Sequence, residues 1–162
     1  MRVRRYREAD GVEAGRLIAE TFRAFNLSYA SPEEQEKLLG PFRHADSTDA
    51  ADREAIAALI RAPIVLVAVD EKRIVGILRG SPGRLHSLFV RSSHHRRGIG
   101  RRLMTAFEEE VRGTGAGKIT LQATLYAVPF YRALGYKRST GVRSGRCFDG
   151  NGFPYQPMKK IL

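Results

Sequence analysis

The strongest constraint on this chain lies between Arg84 and Arg112, where apolar residues change from strand-like spacing to every fourth position. The stretch "RLHSLFV", Arg84 to Val90, is predicted as a strand. Ile99, Leu103, Phe107 and Val111 recur on one side of a predicted helix over 98–112. The turn joining them places Gly98 and Gly100 among Arg96, Arg97, Arg101 and Arg102. The first amides of a helix have no internal acceptors, and the macrodipole leaves about half a positive charge there. Small residues let an anion reach that backbone, and arginines add charge-assisted hydrogen bonds around it. The segment is therefore expected to hold a phosphate group.

The rest of the chain frames this unit. Ala14, Leu17, Ile18, Thr21, Phe22 and Phe25 recur at helical spacing, with Asp10 and Glu13 resembling a capping box, so a helix is expected over 10–25. Ser31, Pro32 and Glu34 open a short second helix. A third runs over 47–61, acidic at its start and basic at its end. Strands follow over 64–69, 73–79 and 84–90, joined by links short enough for antiparallel hairpins. Ser81-Pro82-Gly83-Arg84 reads as a type II turn. After the central helix come a strand over 118–124, a short helix over 127–134 stopped by Gly135, and strands over 136–142 and 154–161 around a flexible loop.

A chain of 162 residues is the size of one domain, 1–162. Its longest apolar run, Ala62 to Val69, is of strand length and interrupted by Pro63, and its charged N-terminus lacks an apolar segment. A cytoplasmic protein without a membrane partner is expected. Cys147 is the sole cysteine, so neither a disulfide nor a thiolate metal site is expected. His86, His94 and His95 have no acid or thiol beside them, and no metal is assigned. The net charge of +11 implies attraction to polyanions, whether nucleic acid, acidic membrane or a phosphorylated cofactor. The arginines cluster at one helix start, which favours a compact ligand over nucleic acid.

Two nucleotide motifs can be set aside. The turn has Leu103 where a dinucleotide-binding fold needs a third glycine, and the preceding strands form hairpins instead of parallel crossovers. In "RGTGAGKIT", Arg112 stands at the first glycine position of a P-loop and Ile119 at its Ser or Thr position.

"LFVRSSHHRRGIGRRLM" resembles the acetyl-coenzyme A signature of the GNAT acetyltransferase superfamily, Gln or Arg, two residues, Gly, one residue, then Gly or Ala. "QATLYAVPFYRALGY" resembles the same family's second motif, a strand followed by a short helix carrying Phe-Tyr and ending in Gly-Tyr. The resemblance implies a mixed, mostly antiparallel sheet of six to seven strands flanked by about four helices, in the α/β (α+β) class. His95 departs from the Gln or Arg position, and Thr124 stands where many members place an Asn that contacts the pantetheine arm.

The resemblance further implies acetyl-CoA as cofactor. The turn from Arg96 and Arg97 through Gly98, Ile99 and Gly100 to Arg101 would hold the pyrophosphate. Leu88, Phe89 and Val90 would pair with the pantetheine arm beside Thr124 and Phe130, at strands splayed around a bulge. Tyr131 would protonate the leaving thiolate. No acid lies in "RLHSLFV", so His86 is the candidate base, and strict alternation would put it on the face of Leu88 and Val90. The acceptor is a small-molecule or peptide amine, met by the first two helices and the loop over 143–153, where Glu33, Glu34 and Glu36 could attract a cation. The protein would act as a monomer or homodimer. The alternatives are a non-catalytic acyl-CoA-binding relative and a basic nucleic-acid-binding module.

Overall fold

The computed structural model describes residues 1–162. Eight strands form one mixed sheet: β1 (Arg2–Arg5), β2 (Ile64–Asp70), β3 (Arg73–Ser81), β4 (Arg84–Val90), β5 (Lys118–Thr124), β6 (Lys137–Arg138), β7 (Arg143–Cys147) and β8 (Gly150–Ile161). Their order is β1-β2-β3-β4-β5-β8-β6, with β7 also on β8. Every pairing is antiparallel except that of β4 with β5. The helices are α1 (Gly11–Thr21), α2 (Pro32–Leu39), α3 (Ala50–Ile60), α4 (Ile99–Gly113) and α5 (Val128–Ala133).

The continuous apolar run of β2 makes sense because both its faces are covered. Ile64, Leu66 and Ala68 join the core under α4 and α5, while Val65 and Val67 join the core under α1, α2 and α3. Such two-sided burial permits no alternation of polar residues. On α4 the predicted stripe is fully inside: Leu103, Phe107 and Val111 are buried with Met104 against the sheet. At the other helix entrance Ser31 and Glu34 form the expected reciprocal cap, with the Ser31 amide donating to Glu34 Oε2 at 2.9 Å.

Five expectations are corrected. Asp10 does not cap α1; Arg4 Nη1 donates to its Oδ2 at 2.7 Å, and the Arg7 amide donates to the same oxygen at 2.7 Å. Glu13 is likewise drawn away, accepting the Ile74 amide at 2.8 Å and tying α1 to β3. The first helix changes at Phe22 into a wider π turn over Phe22–Asn26. The flexible loop is instead β7 and the start of β8, and the predicted strand over 136–142 shrinks to the two residues of β6. With β1, a charged edge strand whose arginines mask any apolar alternation, the sheet has eight strands and not six or seven.

One buried network fixes α4 against the far edge of the sheet. Glu108 accepts from Tyr136 Oη at 3.1 Å and from Lys160 Nζ at 2.9 Å and 2.8 Å, joining α4 to the end of α5's turn and to β8. The neighbouring carboxylate and burial together push the Tyr136 hydroxyl well above its ordinary pKa, burial being the larger cause. Removing the carboxylate strands a buried hydroxyl and an ammonium. Glu108→Ala is therefore expected to cost about 2–3 kcal/mol in urea unfolding, more than Lys160→Ala, which leaves Tyr136 its acceptor.

Candidate functional site

The site begins with a failure of strand pairing. β4 and β5 lie side by side and parallel, yet their register holds at one pair, Arg84 with Thr120, after which they part. Opposite this parting β4 carries a bulge. Arg79 faces Ser87 and Gly80 faces Leu85, so His86 is the extra residue between them. The result is a cleft of about 780 Å³ along the open edge of β4. Leu88, Phe89 and Val90 line it from β4, Thr124 from β5, and Phe130 and Tyr131 from α5.

At the end of β4 the chain enters the arginine turn. Arg96 at φ 60° and Gly98 at φ 77° are both left-handed, a twist that aims successive amides inward as an anion-binding nest. No protein group accepts from the backbone N–H of Arg96, Arg97, Gly98, Ile99, Gly100 or Arg101; the first amide of α4 with an acceptor is that of Arg102, to the Gly98 carbonyl at 3.0 Å. The two glycines have different reasons. A Cβ on Gly98 would meet nothing within 4 Å, so its left-handed backbone angle alone favours glycine. A Cβ on Gly100 would stand 3.0 Å from the Phe130 ring, so this residue is small in order to seat an aromatic wall of the cleft.

Of the turn's residues, Arg96, Gly98, Ile99, Gly100 and Arg101 line the cleft. Arg97 does not; its side chain is 59% exposed and lies 3.7 Å from Asp70 Oδ2, leaving only its amide for the turn. The adjacent histidines do point apart. His94 Nε2 is 3.7 Å from Asp70 Oδ2, while His95 Nε2 hydrogen-bonds to the Val90 carbonyl at 2.7 Å and so braces the turn against the end of β4.

Tyr131 and His86, the candidate acid and base, both line the cleft. Tyr131 is buried between Phe130 and Tyr136, with ring centroids at 5.1 Å and 5.8 Å, and its hydroxyl has no hydrogen-bond partner within the protein. Burial raises its pKa above the ordinary tyrosine value, keeping it protonated. His86 is displaced from the face of Leu88 and Val90 by the bulge. Leu85 shares the α4 side with Leu88 and Val90, whereas His86 Nε2 lies 3.1 Å from Ser81 Oγ. Its pKa is lowered, first by burial and then by the charges of Arg79 and Arg84, so the ring is neutral at neutral pH.

Sequence reasoning missed most of the lining. Phe22, Phe25 and Asn26 reach the cleft from the π turn, a geometry that a helical repeat does not disclose. Asn26 Oδ1 accepts from Thr124 Oγ1 at 3.3 Å, so an amide side chain stands beside the position where the second motif lacks one. Phe148 and Phe153 come from the β7–β8 hairpin, and Arg79 from β3. No Asp or Glu lines the cleft, and the Glu33 to Glu36 run is exposed on α2 away from it.

Comparison with known proteins bears on this geometry. The family model described as an acetyltransferase (GNAT) domain matches residues 29–162. A Bacillus subtilis protein described as the uncharacterized N-acetyltransferase YjcF is 32% identical over 99 residues, 59% of this chain and 68% of that one. The crystal structure of a GCN5-related N-acetyltransferase (aminotransferase, class-II) from Rhodopseudomonas palustris superimposes with a TM-score of 0.83 at 22% identity, covering 99% of this chain and 95% of that one. The PaiA N-acetyltransferase of Thermoplasma acidophilum, crystallised with coenzyme A, superimposes at 0.74 with 16% identity, covering 99% and 98%. The two structures share the fold of this chain.

The nest sets a local requirement that stability measurements can read. Gly98→Ala should cost about 1 kcal/mol in chemical denaturation because the left-handed angle, not space, opposes a side chain. Gly98→Asn, which tolerates that angle, should cost less than half as much.

Proposed function

The chain belongs to the GNAT acetyltransferase family, and on that premise we propose that it acts as a single domain, transferring the acetyl group of acetyl-CoA directly to an amine. The observation that carries this reading is the row of amides from Arg96 to Arg101, none with an acceptor in the protein, curled by two left-handed residues at the entrance of α4. Such a row fits a diphosphate, whose oxygens need several convergent donors. Arg96 and Arg101 line the same end of the cleft and supply charge. The open edge of β4 at Leu88, Phe89 and Val90, with Thr124 and Asn26 across from it, suits a chain that bonds as an added strand, as the pantetheine arm does.

When bound, acetyl-CoA supplies a thioester whose carbonyl carbon accepts the amine and whose sulfur departs with the bonding electrons. The residues of this chain then have three tasks. The backbone N–H of Val90, which faces the open strand edge while that of Phe89 faces β3, stabilises charge developing on the carbonyl oxygen. The Tyr131 hydroxyl, protonated and unpartnered in its pocket, gives its proton to the sulfur. His86, neutral and lining the cleft at the bulge, takes the proton from the amine. Holding both reactants in one cleft lowers the barrier further by removing the entropy of their encounter.

Acetyl-CoA and CoA should each raise the melting temperature, by mass action on the folded state, while a nucleic-acid oligomer should not. Gly98→Glu, which sets a carboxylate against the phosphates, should abolish that rise. A rise with the oligomer alone would favour the nucleic-acid reading. Tyr131→Phe should keep the rise and slow thiol release about 100-fold.

The sign of the pH dependence follows from His86. Its lowered pKa makes the base available above that value, so kcat should climb with pH through a limb below 6.5 and level off by neutrality. His86→Gln should remove the limb and lower kcat at least about tenfold. An unchanged profile in that variant would assign the proton to water.

A further inference from the structure

The acceptor end of the cleft has its own charge pattern. Arg79 lies opposite Ser87 in the register of β3 and β4, and Ser87 is three residues, about 10 Å, before the end of β4 at Val90. Its Nε donates to the Ile60 carbonyl at 3.0 Å, which anchors the guanidinium at the end of α3. Its two Nη groups have no hydrogen-bond partner in the protein and it forms no ion pair with a carboxylate, although it is partly buried. Burial without a counter-charge lowers its pKa from the ordinary arginine value.

Beside it, the Ser87 hydroxyl is buried and has no hydrogen-bond partner. A half-desolvated fork of donors and an orphaned hydroxyl on paired residues of one cleft await an acceptor. The remaining wall is apolar. Phe22 packs on Phe89 at 5.7 Å and on Phe153 at 5.9 Å, and Phe42 packs on Phe148 at 6.2 Å, all five rings lining the cleft. Arg146 also lines it, and no acid does. A polycationic amine would therefore meet like charge with nothing to pair it.

We propose that the acceptor is an amine bearing a carboxylate and an apolar body, such as an apolar α-amino acid, with the carboxylate held by Arg79 Nη groups and Ser87 Oγ and the body set among the phenylalanines. The inference rests on the acetyl-transfer reading above and names its substrate class. His86 precedes Ser87 in the bulge, so the proton acceptor and the carboxylate holder are sequence neighbours. An α-amino acid, whose amine and carboxylate share one carbon, has matching compactness.

The test compares L-phenylalanine, L-phenylalaninamide and spermidine as acceptors by thiol release from acetyl-CoA. The acid should exceed its amide at least tenfold in kcat/KM and exceed spermidine by more. Arg79→Gln should bring the ratio of acid to amide close to one, chiefly through KM for the acid, and Arg79→Lys should retain part of it. Ser87→Ala should lower the ratio severalfold; it does not touch the α3 anchor and so serves if Arg79 variants unfold.

Calorimetry with N-acetyl-L-phenylalanine and its amide, with and without CoA, reads the pocket separately from transfer. If CoA binds but the amide or spermidine is preferred, or the acid neither binds nor reacts, the substrate proposal falls and the transfer reading stands. A folded Arg79→Gln protein with an unchanged ratio also overturns it. If CoA fails to bind, the transfer reading falls, and the preference of the pocket for acid over amide still decides the carboxylate site.

Discussion

The parting of β4 from β5 is the constraint on which the rest of the molecule depends. Parallel neighbours in a sheet ordinarily exchange hydrogen bonds along their length, and here they do so at a single register pair. The unpaired edge would be costly if nothing used it, because buried backbone groups left without partners lose hydrogen bonds they had in water. The gap persists because each strand is secured on its other side, β4 by β3 and β5 along its whole length by β8. Two apolar cores cover opposite faces of the sheet, and the one under α4 spans the parting, taking Leu78 from β3 and Leu121 from β5.

The bulge does related work at the level of single side chains. By inserting His86 it turns Ser87 and Phe89 toward the α1 side while Leu88 and Val90 keep packing with α4. The polar groups of β4 are thereby brought to the cleft in the middle of an otherwise apolar strand. Charge is divided along the same cleft. The arginine turn at the entrance of α4 presents backbone donors with exposed cations around them, where solvent screens each individual charge. Arg79, lacking a counter-ion and partly withdrawn from water, is a stronger local source of field despite being a single residue.

The cleft is also assembled from elements far apart in the chain. The π turn at the end of α1 brings Asn26 to Thr124, and the β7–β8 hairpin brings Phe148 against Phe42. The Cys147 thiol beside it is pushed up to about 11 by burial and donates to the Leu38 carbonyl, so it is a structural contact and not a nucleophile.

Much was legible from residues alone because the relevant physics is local. The period of Ile99, Leu103, Phe107 and Val111 defined the face of α4 that is buried, the Pro82-Gly83 turn fixed the hairpin, and Gly98 marked the helix entrance. That the turn, the open edge and Tyr131 belong to one site came instead from the resemblance to the family, not from local periodicity. What only the tertiary structure decided were choices between competing partners. Asp10 took Arg4 in place of its helix, Gly100 made room for a ring and not only for an anion, and His86 left the face that alternation assigned it. In each case the local preference amounts to one hydrogen bond or one rotamer step, and a group distant in sequence but adjacent in space outweighed it.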